Sequence, residues 1–92
     1  MSTAEVIKAI KKEAGSDNKI RVAKQFMGSS SNWVTSSDVK QIVSQFAFSD
    51  ARVEVAQYGY NNVIDPVNFF TVNSAIRSSD EKKKLSDYIE HN

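Results

Sequence analysis

Of the five Ser-Asp dipeptides in the chain, those at residues 16–17, 49–50 and 79–80 stand at near-regular intervals, each with a basic residue two places after the aspartate. The serines are thirty-three and thirty residues apart. The residues after them are alike too. The third residue after each serine is Lys19, Arg52 or Lys82, the sixth is Val22, Val55 or Leu85, and the seventh is Ala23, Ala56 or Ser86. An aromatic closes each stretch: Phe26, Tyr58 and Tyr88. Fourteen residues before the serines stand Ser2, Thr35 and Asp65, all side chains that can accept a hydrogen bond from the unpaired N–H groups at a helix start. Three residues beyond those, Glu5, Asp38 and Asn68 supply a capping box, a near-box with Asp in place of Glu, and a polar variant.

Apolar residues after the caps keep helical spacing. From Thr35 they are Val39, Ile42, Val43 and Phe46, a full i, i+3, i+4, i+7 stripe. From Asp65 they are Phe69, Val72 and Ile76, and from Ser2 they are Val6, Ala9 and Ile10. Each unit therefore reads as a capped helix, a break at Ser-Asp, and a second helix. Units of about this length that bury their apolar faces only against their neighbours form stacked helical hairpins. The expectation is an all-α single domain over residues 1–92: three stacked hairpins, as a small α-solenoid-like array or an orthogonal bundle. A right-handed sense follows from analogy with other α-solenoids. Helices are predicted near residues 3–13, 17–28, 36–47, 50–61, 66–77 and 79–89, with no sheet.

Finer expectations rest on the same pattern. Ser16, Ser49 and Ser79 are predicted N-caps, with the aspartate at N1 where the helix dipole favours negative charge. Thr35 and Asp65 are each expected to accept a backbone N–H of their own helix, and Pro66 suits the first turn. Gly28 is a predicted stop. The expected core is Val39, Ile42, Val43, Phe46, Val53, Ala56, Phe69, Val72, Ile76, Leu85 and Ile89. Phe69 and Phe70 cannot share one narrow stripe.

Composition removes most chemistry. A formal charge of +1 gives no field to gather nucleic acid or anionic lipid. There is no cysteine, hence no disulfide, thiolate metal site or Cys nucleophile. The single histidine, His91, sits on a terminus that holds a general base poorly. No G-x-S-x-G elbow, Gly-rich phosphate loop or calcium-loop spacing of acids occurs. No apolar run reaches the roughly 20 residues of a membrane span, and the N-terminus lacks signal-peptide form. These readings predict no enzyme activity, no cofactor, no metal, no nucleic acid and no membrane contact. A cytoplasmic monomer that meets a protein partner is the expectation.

The stretch SDARVEVAQYGYNNVIDPVNFFTVNSAIRSSDEKKKLSDYI, with the earlier copy from Thr35 to Phe48, resembles the family known as domain of unknown function 4476. Asp50, Arg52, Ala56, Tyr60, Asp65, Pro66, Asn68 and Phe69 fall on that family's pattern. The resemblance implies an all-helical fold without known enzyme activity, and its motif residues carry over as capping and packing positions. The departure is Gly59, where the family usually has alanine. Glycine inside a helix costs roughly 0.5–1 kcal/mol relative to alanine, so this position is expected at a close helix crossing.

Two sets of residues are candidates for a partner surface. Lys8, Lys11 and Lys12 fall on the outer face of the first helix, where a solvated face is the plainer reading and a small basic patch the functional one. The 28–34 link is longer than its counterpart at 61–64 and carries Asn32 and Trp33. A lone tryptophan there either plugs the gap between hairpins, which is the commoner role, or anchors a partner. The alternative function is a peripheral lipid- or calcium-dependent membrane module of annexin-like architecture.

Overall fold

A computed structural model describes residues 2–29 and 33–91. Six helices run through them: α1 (Thr3–Lys12), α2 (Ser16–Met27), α3 (Ser36–Val43), α4 (Ser49–Tyr60), a 3-10 helix (Pro66–Ala75) and α5 (Ser79–Glu90). Among the described residues the extended backbone pairing is one isolated parallel bridge between Val34 and Val63. The helices form two rows. In one row α1 packs on α3 and α3 on the 3-10 helix; in the other α2 packs on α4 and α4 on α5. Within the first two hairpins α1 also packs on α2, and α3 on α4. The core between the rows is continuous from Val6 and Ile10 through Val39, Ile42 and Val43 to Phe69, Val72 and Leu85. Ten of the eleven expected core residues are buried, and Ile89 is half-buried against them.

Capping explains where the helices begin, and corrects the expected register. Ser2 accepts from Glu5 N while Glu5 accepts from Ser2 N, a reciprocal box; Thr35 and Asp38 do the same for α3. The Ser-Asp serines, however, are the first helical residues rather than the caps. The cap positions are Gly15, at φ 86°, Phe48 and Ser78. Only Ser78 of these takes a helical N–H on its side chain, from Glu81. The aspartates thus lie one place further in, still within the first turn where the dipole favours them. Gly28 ends α2 as expected but with right-handed backbone; a Cβ there would collide with the Tyr58 hydroxyl.

Asp65 departs from expectation in a more useful way. It makes no cap bond to its own helix. Its Oδ1 instead accepts from Ser36 N at 2.7 Å and from Ser36 Oγ at 3.1 Å, so it caps the neighbouring α3. Thr3 Oγ1 likewise donates to Asp38 Oδ1 at 2.8 Å. Each first-helix hydroxyl is tied to an acid at the start of the next helix along the row. Pro66, the corresponding first residue of the 3-10 helix, has neither hydroxyl nor N–H to offer; the third expected hairpin does not close, since the 3-10 helix and α5 do not pack closely on each other.

The C-terminal end of α3 is shorter than predicted because its last turns tighten. Gln45 N bonds Ile42 O and Phe46 N bonds Val43 O, i to i−3 pairings that close the helix. Carbonyls at and just past the helix end go to Arg52, which is buried and donates from Nε to Phe46 O at 2.7 Å and from a terminal nitrogen to Ser44 O at 3.3 Å. Its other terminal nitrogen reaches Ala75 O at the end of the 3-10 helix, 2.6 Å away. One guanidinium fork therefore joins the second hairpin to the 3-10 helix.

The fifth helix is the main difference from the predicted all-α winding. Residues 66–75 take three residues per turn, and the sequence has a three-residue period to match. Phe69, Val72 and Ala75 are buried. Val67 and Phe70 form a second row, exposed. Asn68, Thr71 and Ser74 form the third, where Thr71 Oγ1 bonds Asn68 O and Ser74 Oγ bonds Thr71 O. With 3.6 residues per turn each such row would drift by roughly 60° per turn; with three it stays straight.

Candidate interaction surface

Large apolar side chains left in water are the informative feature of this surface. Trp33 is 79% exposed, Val67 82%, Phe70 69%, Phe48 67% and Ile64 57%. Three of the five, Ile64, Val67 and Phe70, stand within residues 64–70. Ile64 N donates to Val34 O at 2.9 Å, which brings the chain next to Trp33 alongside Ile64. Single apolar residues in water need no explanation, whereas neighbouring ones form a patch that does.

The cluster borders a groove. Unlike the helices of the first two hairpins, the 3-10 helix and α5 do not pack closely on each other. Between them lies a cleft of about 310 Å³, lined by Val67, Phe70 and Asn73 on one wall and Ser86, Ile89 and Glu90 on the other. Tyr60 and buried Phe69 also line it, their rings edge to face with centroids 5.2 Å apart, an arrangement that stiffens both. Glu90 is the one charged residue among the described residues lining the cleft. It sits on the last turn of α5, whose C-terminal carbonyls add partial negative charge.

A larger groove of about 400 Å³ runs between α2 and α4, past Asp17, Arg21, Lys24 and Glu54. Its central charges already satisfy each other. Lys24 Nζ lies 2.8 Å from Glu54 Oε2 and 5.5 Å above the Tyr58 ring. Exposed pairs of this kind contribute little energy, but they leave fewer groups free for a ligand.

The residues singled out from sequence are not gathered into one site. Trp33 is exposed, so its role as a plug between hairpins is overturned: Val34, next to it, is the buried residue of that link. Asn32 lies outside the described residues. Lys8, Lys11 and Lys12 are exposed on α1, at the opposite end of the α1–α3–3-10 row from the groove. Sequence reading missed Ile64 and Val67, the latter signalled by the three-residue period of residues 66–75; of Phe69 and Phe70, which cannot share one stripe, Phe70 is the exposed one. His91 is exposed, its Nδ1 2.7 Å from Asp87 O.

Electrostatic shifts are structural in origin. The Ser36 N–H holds the Asp65 carboxyl below its ordinary range, helped by Asn68 and the Ser36 hydroxyl. Glu5 is lowered chiefly by the Ser2 N–H. Burial pushes the Arg52 guanidinium down, and Arg77 nearby adds to this. No group of three or more His, Cys, Asp or Glu side chains that could hold a metal occurs among the described residues. No helix among them is long and apolar enough to cross a membrane.

The family model described as domain of unknown function, DUF4476, matches residues 1–89. No curated protein and no solved structure matches the chain. The chain belongs to the DUF4476 family.

Proposed function

We propose that this chain is a non-catalytic protein-interaction module whose contact surface is the end of the stack formed by the 3-10 helix, α5 and the Trp33 segment. One observation carries the reading: exposed Val67 and Phe70 line an open groove, and exposed Trp33 and Ile64 flank the Val34–Val63 pairing that leads into the 3-10 helix. Burying such residues on association is favourable by about 25 cal/mol per Å² of apolar surface, and aromatic anchors supply much of that in known interfaces. The surroundings of His91, in contact with a backbone carbonyl at the helix end, are those of a cap rather than of a catalytic base. The basic face of α1 falls outside the proposed contact surface. No observation favours the lipid- or calcium-dependent alternative over this one.

The experiment is affinity capture from a source lysate with three immobilised chains: the parent, a Val67→Ser/Phe70→Ser double variant, and a Lys8→Glu/Lys11→Glu control. Proteins retained by the parent and the control but lost by the folded double variant support the surface. If the double variant retains the same set while the lysine control loses it, the contact surface is α1 and the proposal fails.

A further inference from the structure

We infer that the groove between the 3-10 helix and α5 receives an amphipathic α-helix bearing apolar side chains one turn apart and basic residues toward the C-terminal end of α5. This rests on the interaction reading above and adds the partner's chemistry to it. Shape is the first ground. Both walls are helices, standing apart where the helices of the other two hairpins close on each other. Ten residues at the 3-10 rise of ~2.0 Å give a wall of ~20 Å. Twelve residues of α5 at ~1.5 Å give ~18 Å. The lining runs from Pro66 to Asn73 on one wall and from Ser86 to Glu90 on the other, so about two turns of a partner helix would lie along it, the helix-in-groove mode of recognition.

Spacing is the second ground. Val67 and Phe70 project from successive 3-10 turns, ~6 Å apart along the axis. Side chains at i and i+4 of an α-helix are also ~6 Å apart, so they can interleave with this row while Ile89 closes the other side. An added β-strand would need an unpaired strand edge, and neither wall supplies one. Charge is the third ground. Glu90 and the α5 C-terminus are both negative, with no basic side chain among the described lining residues. A basic segment is drawn in and an acidic one repelled. A second copy is disfavoured on the same ground: its large apolar cluster is this same end, which brings Glu90 with it.

The test uses the full chain, labelled with ¹⁵N, and two capped synthetic peptides of about sixteen residues, long enough to be helical. Both carry leucines at i, i+4 spacing; one has lysines on its polar face and the other glutamates. Binding is followed by fluorescence anisotropy and mapped by amide shifts. The lysine peptide should shift the amides of Val67, Phe70 and Ile89 and bind at least ~10-fold tighter than the glutamate peptide, less so at high salt. Glu90→Lys should erase or invert the preference, and Phe70→Ser should abolish binding while leaving the circular dichroism spectrum unchanged. Equal binding of both peptides in the groove, unaltered by Glu90→Lys, would overturn the charge inference and leave the contact surface standing. Shifts elsewhere, or binding that survives Phe70→Ser, would overturn both. Failure of either peptide to bind refutes the helix-in-groove inference. A parent that sediments as a dimer, with Phe70→Ser monomeric, then keeps the surface as a self-contact.

Discussion

Gly59 marks a helix crossing that a single methyl group would obstruct. A Cβ built there would lie 2.8 and 2.9 Å from the two methyls of Val39 and 3.2 Å from Met27 Sδ. Val39 is stiff about χ1 and cannot swing clear. The usual gain of up to about 1 kcal/mol from Gly to Ala in a helix is therefore outweighed by overpacking of about 1–3 kcal/mol. Gly59→Ala should lower the urea midpoint. Asp65 makes a prediction in pH. Its carboxylate is held below the ordinary value by the Ser36 N–H, so the folded state favours the charged form. That stabilisation is complete above the unfolded pKa, near 3.9, and is lost as pH falls through the lower folded value. The stability gap between the parent and Asp65→Asn should be widest near neutral pH and narrow in strong acid, as read by denaturation at both.

Much of the element layout was legible, because caps and apolar spacing are local. Thr35 with Asp38, and Val39 through Phe46, announce α3 without reference to any other part of the chain. What was not legible depended on neighbours. Local propensity favours Ser16 over Gly15 and Ser49 over Phe48 as the cap, but how the chain enters the helix decides, and it puts the serines one place further in. Asp65 reads as a cap and is one, but for the helix beside it, a long-range fact. The 3-10 segment was readable in part. Phe69, Val72 and Ile76 satisfy helical spacing and suggest an α-helix, whereas Phe69, Val72 and Ala75 satisfy a strict period of three, and the latter pattern won. The two phenylalanines test this winding. Phe69→Ala should cost about 3–5 kcal/mol and Phe70→Ala within about 0.5 kcal/mol, measured by chemical denaturation.

Across the whole molecule, 31 × 26 × 18 Å in extent, the two rows of helices bury a continuous core and leave one end apolar. The candidate site was less legible than the fold for that reason: exposure of Val67 and Phe70 follows from the winding, and the groove from the spread of two helices. Trp33 stands out in the sequence, but with packing favoured over exposure. Its side chain is in water, so Trp33→Ala should leave the melting temperature nearly unchanged, as a thermal scan would register. Partner capture by that variant should fall if the proposed surface is right. The 3-10 helix itself is held at both ends by the second hairpin, through Ser36 on Asp65 at its start and Arg52 on Ala75 at its finish. Ten residues wound as an α-helix would measure ~15 Å, about 5 Å less than the same residues wound as a 3-10 helix. Rewinding the segment as an α-helix would therefore have to draw those two fixings closer together or break one of them.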